Sequence, residues 1–135
     1  MRYRIKPCTD LDLIHELTDM TTEVRDEREG SVHWVAWDET DEPAGFCSAN
    51  MIAEGMCYFT NAGVLEEHRG SGLQKRLIKV RLQWAKKNGA VDVVTYTMLH
   101  NYPSIINLLK CGFRFYRPER EWVGPEVHYF IRSFE

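Results

Sequence analysis

The chain has 135 residues, 44% hydrophobic and 27% charged, with a net charge of −3. That length suits one domain, spanning residues 1–135, around one hydrophobic core, and the acidic balance speaks against a nucleic-acid surface. No apolar run approaches the roughly 18 residues of a membrane span, and the opening MRYRIKPCTD lacks the apolar segment of a secretory signal, so a cytoplasmic protein without membrane or nucleic-acid partners is expected.

Residues 2–6 alternate weakly and stop at Pro7, which predicts a first strand. Thr9 and Asp12 then take the spacing of a capping box. Leu13, Leu17, Met20 and Val24 follow at helical spacing and predict a helix over 10–24. The charged stretch 25–30 reads as loop. Strands over 32–37 and 44–52 flank a polar turn and form a hairpin, and Glu54-Gly55 turns the chain into a third strand, 56–64. Residues 72–88 give the clearest helix. Leu73, Leu77, Val80 and Trp84 share one face, broadened by Ile78, Leu82 and Ala85, while Lys75, Arg76, Lys79, Gln83 and Lys86 take the other. Gly89 stops it. A buried strand over 91–98 follows, then a helix from Pro103 to Cys111 that ends on Gly112. Residues 113–116 and 127–134 close as an antiparallel pair.

The order β-α-β-β-β-α-β-α-β-β predicts an α/β (α+β) fold: a mixed, mostly antiparallel sheet flanked by helices on both faces. Cys8, Cys47, Cys57 and Cys111 show no C-x-x-C spacing, so no metal or redox pair is expected. The last three sit in apolar runs and read as reduced core thiols.

Residues 64–74, VLEEHRGSGLQ, carry the strongest functional signal. A strand feeds a polar turn, and Arg69-Gly70-Ser71-Gly72 leads straight into the 72–88 helix. Unpaired N–H groups in a first helical turn, with the helix dipole behind them, favour an anion, and glycine lets a phosphate approach the backbone. The competing reading is an ordinary tight turn. Neither a P-loop nor a G-x-G-x-x-G fingerprint is present. The motif also falls where the antiparallel meander gives way to a parallel crossover, the place where α/β sheets tend to bind ligands.

The pattern resembles the GNAT superfamily of acyl-CoA-dependent N-acyltransferases. That family's CoA loop is [QR]-x-x-G-x-[GA]; Arg69-Gly70-Ser71-Gly72-Leu73-Gln74 matches it except at the last position. The family's N-x-x-A-x-x-x-Y-x-x-x-G-F element is represented by Asn101, Ser104 in place of Ala, Leu108 in place of Tyr, and Gly112-Phe113. Residues 56–116 carry the resemblance, and element order extends it to the whole chain.

The resemblance implies direct transfer of an acetyl group from acetyl-CoA to a primary amine of a small molecule or protein, with CoA as product and no metal. It implies that backbone amides of Arg69, Gly70, Ser71, Gly72, Leu73 and Gln74 hold the pyrophosphate, with Lys75, Arg76 and Lys79 near the 3′-phosphate. It implies that a free edge from Ala62 to Val64 pairs with the pantetheine arm, that an N–H of Val64 or Leu65 polarises the thioester carbonyl, and that Asn101 and Ser104 touch the arm. Asn101 is equally a cap before Pro103. Leu108 cannot supply the phenol that many members place near the sulfur, which keeps open an alternative: a GNAT-fold module that binds acyl-CoA without catalysis. A nucleotide binder of unrelated fold leaves the 101–113 match unexplained.

Candidates for acid and base are Tyr102, Glu54 and His100, with Cys111 and Tyr116 behind them; Tyr102 is the preferred acid. Each has a plain structural alternative, as turn, loop or core residue. The resemblance places the acceptor amine beside residues 22–31 and 119–126. Both stretches lean acidic: Glu23, Asp26, Glu27 and Glu29 in one, Glu119, Glu121 and Glu126 in the other. A cationic amine fits that charge. Trp34, Trp37 and Trp122 are further candidates, the first two more simply core residues. The strand-like stretch 127–134 leaves two alternatives open, pairing across a homodimer or packing internally.

Overall fold

The computed structural model describes residues 2–22, 26 and 28–134. Its elements are β1 (Arg4–Cys8), α1 (Leu11–Thr21), β2 (Val32–Trp37), β3 (Pro43–Ala53), β4 (Met56–Val64), α2 (Leu73–Lys87), β5 (Asp92–Met98), α3 (Tyr102–Lys110), β6 (Arg114–Phe115) and β7 (Val127–Ser133). A single 3-10 turn, Glu66–His68, lies between β4 and α2. The element order is the one the sequence implies. Two details differ. β1 runs through Pro7 to Cys8, which an edge strand permits because its outer N–H needs no partner. Asp10, not Thr9, caps α1, its carboxylate accepting from the Leu13 N–H at 3.2 Å. The position Val24, assigned to this helix from spacing, lies outside the described residues.

The strands form one seven-stranded sheet in the order β1-β2-β3-β4-β5-β7-β6. Every neighbouring pair is antiparallel except β4 and β5. Strand alternation sorts the core onto two faces. Trp34, Cys47, Phe59, Val93 and Phe130 meet Leu73, Leu77 and Ile78 of α2 and Ile105 and Leu108 of α3. Val35 and Phe46 turn the other way and meet Ile14 and Leu17 of α1. So α1 covers one face, and α2 with α3 covers the other.

Gly63 explains how closely α1 approaches. A Cβ there would stand 2.0 Å from Thr21 Oγ1 at the end of α1. Only glycine lets the last turn of the helix rest on β4.

Two irregularities prepare the site. The β3–β4 register passes from Cys47↔Ala62 to Ala49↔Phe59, so Ser48 faces both Thr60 and Asn61. This is a β-bulge, which bends and twists β4. Beyond it β4 and β5 part. They pair over residues 56–58 and 92–94, after which β5 continues against β7 to Met98. Candidate thiols stay in the core: burial pushes Cys47 up to about 12 and Cys57 up to about 11, so neither is a thiolate at neutral pH. Trp34 is a core residue too, edge-on to Trp84 at 5.8 Å.

Candidate functional site

Where β4 and β5 separate, a cleft of about 740 Å³ opens between them. Phe59, Asn61 and Ala62 line one side, Thr95 and Thr97 the other, and Gln74, Ile78 and Arg81 of α2 form its floor. The backbone edge of β4 faces into it. Leu65 N–H donates to Ala44 O at 2.9 Å. Since N–H groups alternate along a strand, those of Ala62 and Val64 turn to the opposite edge, where β5 has left. The expectation that Leu65 contributes a free N–H is therefore corrected: its donor is already used by β3.

The glycine loop lies past the end of β4. Gly70 and Gly72 have φ of 77° and 82°, left-handed values that favour glycine, and a Cβ at either would meet nothing within 4 Å. The glycines are there for backbone shape, and the space above the loop is open. Gly72 is the N-cap of α2 and offers no side-chain oxygen, so the first N–H groups of the helix stay uncapped by it.

The loop is nailed down from beneath by a residue the sequence reading passed over. His68 is buried; its Nδ1 lies 3.0 Å from Tyr3 Oη and its Nε2 3.5 Å from Asp38. Hydrogen bonds from Thr40 and from the Glu42 N–H hold the Asp38 carboxyl below its ordinary range. Ser71 Oγ donates to His68 O at 2.6 Å, and Arg69 Nε donates to Val64 O at 3.2 Å. The Arg69 and Ser71 side chains thus shape the loop, and the expectation that Arg69 contributes a free amide is corrected: its N–H donates to Glu66 O at 3.2 Å.

Gln74 also departs from expectation usefully. Its side chain bridges α2 to α3, Nε2 donating to Ser104 Oγ at 2.7 Å and Oε1 accepting from Asn107 at 3.2 Å. It swings aside rather than over the loop. Asn101 caps α3, accepting from the Ser104 N–H at 3.4 Å, while still lining the cleft. Leu73 is buried under α2 and contributes only backbone.

The acid–base candidates separate. His100 lines the cleft. Tyr102 is 59% exposed and reaches the cleft only through His100, whose Nδ1 is 3.3 Å from its hydroxyl. Glu54 is corrected: it sits exposed in the β3–β4 turn, at the end of β4 away from the cleft. Cys111 is buried, and burial raises its thiol. Leu108 is buried and apolar at the cleft wall.

Two cleft residues escaped the sequence reading. Thr97 Oγ1 is buried without a hydrogen-bond partner, although it lies at the cleft wall. Such an orphan is costly unless a ligand meets it. Arg81 is 4% exposed; its guanidinium lies 4.3 Å from the Phe59 ring, with Nε on Leu77 O at 3.1 Å and Nη1 on Ser48 O at 3.4 Å. Ser48 is the residue opposite the bulge, so Arg81 satisfies a carbonyl that the broken ladder exposes. Its place four residues after Leu77 and four before Ala85 is a signal in the sequence: a charge on the apolar face of α2.

On the acceptor side, Glu23, Arg25 and Glu27 lie outside the described residues. Asp26 is tied in, its N–H donating to Asn61 Oδ1 at 2.7 Å and its carboxylate accepting from Tyr58 Oη at 2.5 Å. Trp122 packs edge-on to Tyr58 and against Tyr129, at 5.9 and 4.6 Å. No cluster of three or more His, Cys, Asp or Glu suited to a metal occurs among the described residues. No helix among them is long and apolar enough to cross a membrane.

A split parallel pair, a glycine turn and an uncapped helix start converge at one cleft of a mixed sheet. The acetyltransferase (GNAT) family model matches residues 3–113, and the chain belongs to that family, a class of acyltransferases. An uncharacterized N-acetyltransferase of Bacillus subtilis (strain 168), YobR, is 36% identical over 62 residues, 46% of this chain and 25% of that protein. The chain therefore matches about a quarter of the length of that curated relative. Among solved structures, a Bacillus subtilis acetyltransferase in complex with CoA superposes with a TM-score of 0.81 at 20% identity, covering 99% of this chain and 100% of that one. An IAA acetyltransferase from Bacillus cereus ATCC 14579 gives 0.80 at 16% identity over 98% and 100%. A Bacillus anthracis str. Ames chain assigned as a streptothricin acetyltransferase and solved with acetyl coenzyme A gives 0.78 at 17%, over the whole of both chains. These likenesses establish the fold.

Proposed function

We propose that this chain is an N-acetyltransferase that carries acetyl from acetyl-CoA directly to a primary amine of a small molecule or protein. The observation that carries the reading is the β4–β5 split ending at an open glycine turn. A ligand with a phosphate end and an amide-bearing arm matches both parts. The amides of residues 70–74 would take the pyrophosphate. The outward edge of Ala62 and Val64 would pair with the pantetheine amides, as an added strand would. Val64 N–H, not Leu65 N–H, is then the donor placed to polarise the thioester carbonyl. Thr97 and Ser104 offer hydroxyls along the arm. His100, which lines the cleft with Tyr102 behind it, would serve as the proton donor to the leaving sulfur.

The test is release of free CoA thiol from acetyl-CoA across polyamines, aminoglycosides, amino acids and peptides, with thermal stabilisation by acetyl-CoA measured in parallel. Turnover with any amine supports the reading. Absence of both turnover and stabilisation refutes it. Buried Leu108 at the cleft wall favours one second reading, a binding module without turnover; stabilisation with no turnover across the panel is its signature.

A further inference from the structure

Between Leu65 and Leu73 the glycine loop buries one residue, His68. Both of its backbone groups are used within the turn: its N–H donates to Leu65 O at 2.9 Å, and its carbonyl accepts from Ser71 Oγ at 2.6 Å. Its side chain leaves the loop and reaches two distant parts of the chain. Nδ1 lies 3.0 Å from Tyr3 Oη, with the two rings edge-on at 5.5 Å, and Nε2 faces the Asp38 carboxylate at 3.5 Å. A carboxylate only accepts, so in the neutral ring Nε2 carries the proton and Nδ1 accepts from the Tyr3 hydroxyl.

Each end of this chain of contacts is itself held. Asp38 Oδ1 accepts from the Thr40 N–H at 2.8 Å, the Thr40 hydroxyl at 2.7 Å and the Glu42 N–H at 3.1 Å, which fixes the carboxylate at the β2–β3 turn. Tyr3 is buried just before β1, and its carbonyl accepts from Arg76 Nη2, near the start of α2, at 3.3 Å. Tyr3 therefore braces the loop through His68 and the helix start through Arg76. Above, residues 69–72 are exposed, and a Cβ at Gly70 or Gly72 would meet nothing within 4 Å. The loop is held from below and open on top.

We infer that the Tyr3–His68–Asp38 chain positions the glycine loop for the pyrophosphate and acts on donor binding, not on acyl transfer. The inference rests on the acetyltransferase reading above and adds three positioning residues to its donor site. The step they control is conformational. Two glycines in left-handed backbone give the loop many competing shapes, because glycine has the most freedom to lose on ordering. His68 selects one of them by tying the middle of the turn to two fixed points. Without that tie only a fraction of the molecules presents the amides in the binding shape, and the apparent affinity falls by that fraction. None of the three residues lines the cleft, so their removal leaves the surroundings of the reacting atoms in place.

The test compares two acetyl donors on an amine that the wild-type protein acetylates: acetyl-CoA, and S-acetylpantetheine, which carries the thioester arm without the phosphates. His68→Leu should raise the KM for acetyl-CoA about tenfold. Its kcat, and its kcat/KM for S-acetylpantetheine, should stay within about twofold of the wild type. His68→Gln, which keeps a donor toward Asp38, should recover part of the loss. Tyr3→Phe should raise the acetyl-CoA KM about threefold and add nothing in the His68→Leu background, as expected of residues that act as one unit. Equal losses with both donors, or a fall in kcat at unchanged KM, overturn the inference, and so does an unmoved acetyl-CoA KM in a folded His68→Leu. Should His68→Leu not fold, Tyr3→Phe with the two donors decides by the same criteria. If the wild-type protein binds acetyl-CoA without turnover, the calorimetric Kd for acetyl-CoA replaces the KM, and an unchanged Kd in His68→Leu overturns the inference. A wild-type protein that neither acetylates an amine nor gains thermal stability from acetyl-CoA refutes the acetyltransferase reading itself, and the inference with it.

Discussion

Gly63→Ala isolates how much the seat of α1 on β4 matters. The added methyl would lie 2.0 Å from Thr21 Oγ1 and 2.4 Å from Thr21 Cβ, where ordinary contact begins at 3.4 Å. Turning the Thr21 side chain cannot relieve this, because its Cβ moves only with the backbone. The hydroxyl is held in any case, donating to Leu17 O at 2.7 Å. So the last turn of α1 must lift, carrying Leu17 away from Val35 and Phe46. Overpacking of this kind costs about 1–3 kcal/mol, which for a domain of this size corresponds to a fall in Tm of roughly 3–12 °C. The assay is urea denaturation and thermal melting of four proteins: wild type, Gly63→Ala, Thr21→Gly and the double variant. Thr21→Gly alone should destabilise by about 0.5 kcal/mol, the gap between threonine and glycine in a helix. In the Gly63→Ala background it should instead recover stability, since it removes the colliding atoms. A Gly63→Ala protein that melts with the wild type, or strict additivity in the double variant, would refute the steric argument.

The glycine loop calls for the opposite control. Gly72 has φ 82° with open space around it, so Gly72→Ala should cost about 1–2 kcal/mol by backbone strain alone, and Gly72→Asn less; equal losses in the two melts would contradict this. Gln74→Ala removes bonds to Ser104 and Asn107, and a loss of about 1 kcal/mol with weaker acetyl-CoA binding by calorimetry is expected. His33 has its folded pKa below 6.5, so the unfolded chain takes up the proton first; stability should fall as pH drops below 6.5, and His33→Gln should flatten that part of the urea-midpoint profile. At pH 8 iodoacetamide should label Cys8 in the folded protein while Cys47 and Cys57 react only on unfolding, read by mass spectrometry; rapid native labelling of either buried thiol would be at odds with their raised pKa values.

The elements were legible because their signals are local. The apolar stripe of α2, the hairpin turn before β3 and the glycine stops each depend on residues within a few positions of one another. The glycine loop was legible for the same reason. What stayed hidden depends on pairs far apart in the chain. His68 matters through Tyr3 and Asp38, and Gln74 through Ser104 and Asn107. Glu54 and Leu65 were misjudged because their fate depends on which end of β4 opens and which edge of it β3 already occupies. Periodicity reports the face of a strand, not the direction of its N–H groups.

The β4 bulge explains why a buried Arg81 is tolerated without a carboxylate partner among the described residues. An extra residue in β4 leaves Ser48 opposite two residues, so its carbonyl loses a ladder donor. Unpaired, that carbonyl would cost about 1–3 kcal/mol. Burial lowers the Arg81 pKa, and the group meets the π-face of Phe59 and carbonyl oxygens of Leu77 and Ser48 instead of an acid. A carboxylate there would bring a second charge that must lose its water, whereas carbonyls satisfy the donors without one. Arg81→Met keeps the volume and removes the donors. It should therefore free the Ser48 carbonyl, loosen the bulge, and weaken acetyl-CoA binding more than it lowers the melting temperature. Arg81→Lys should recover part of the binding loss. If Arg81→Met binds acetyl-CoA as the wild type does, the guanidinium only fills space and the bulge holds itself.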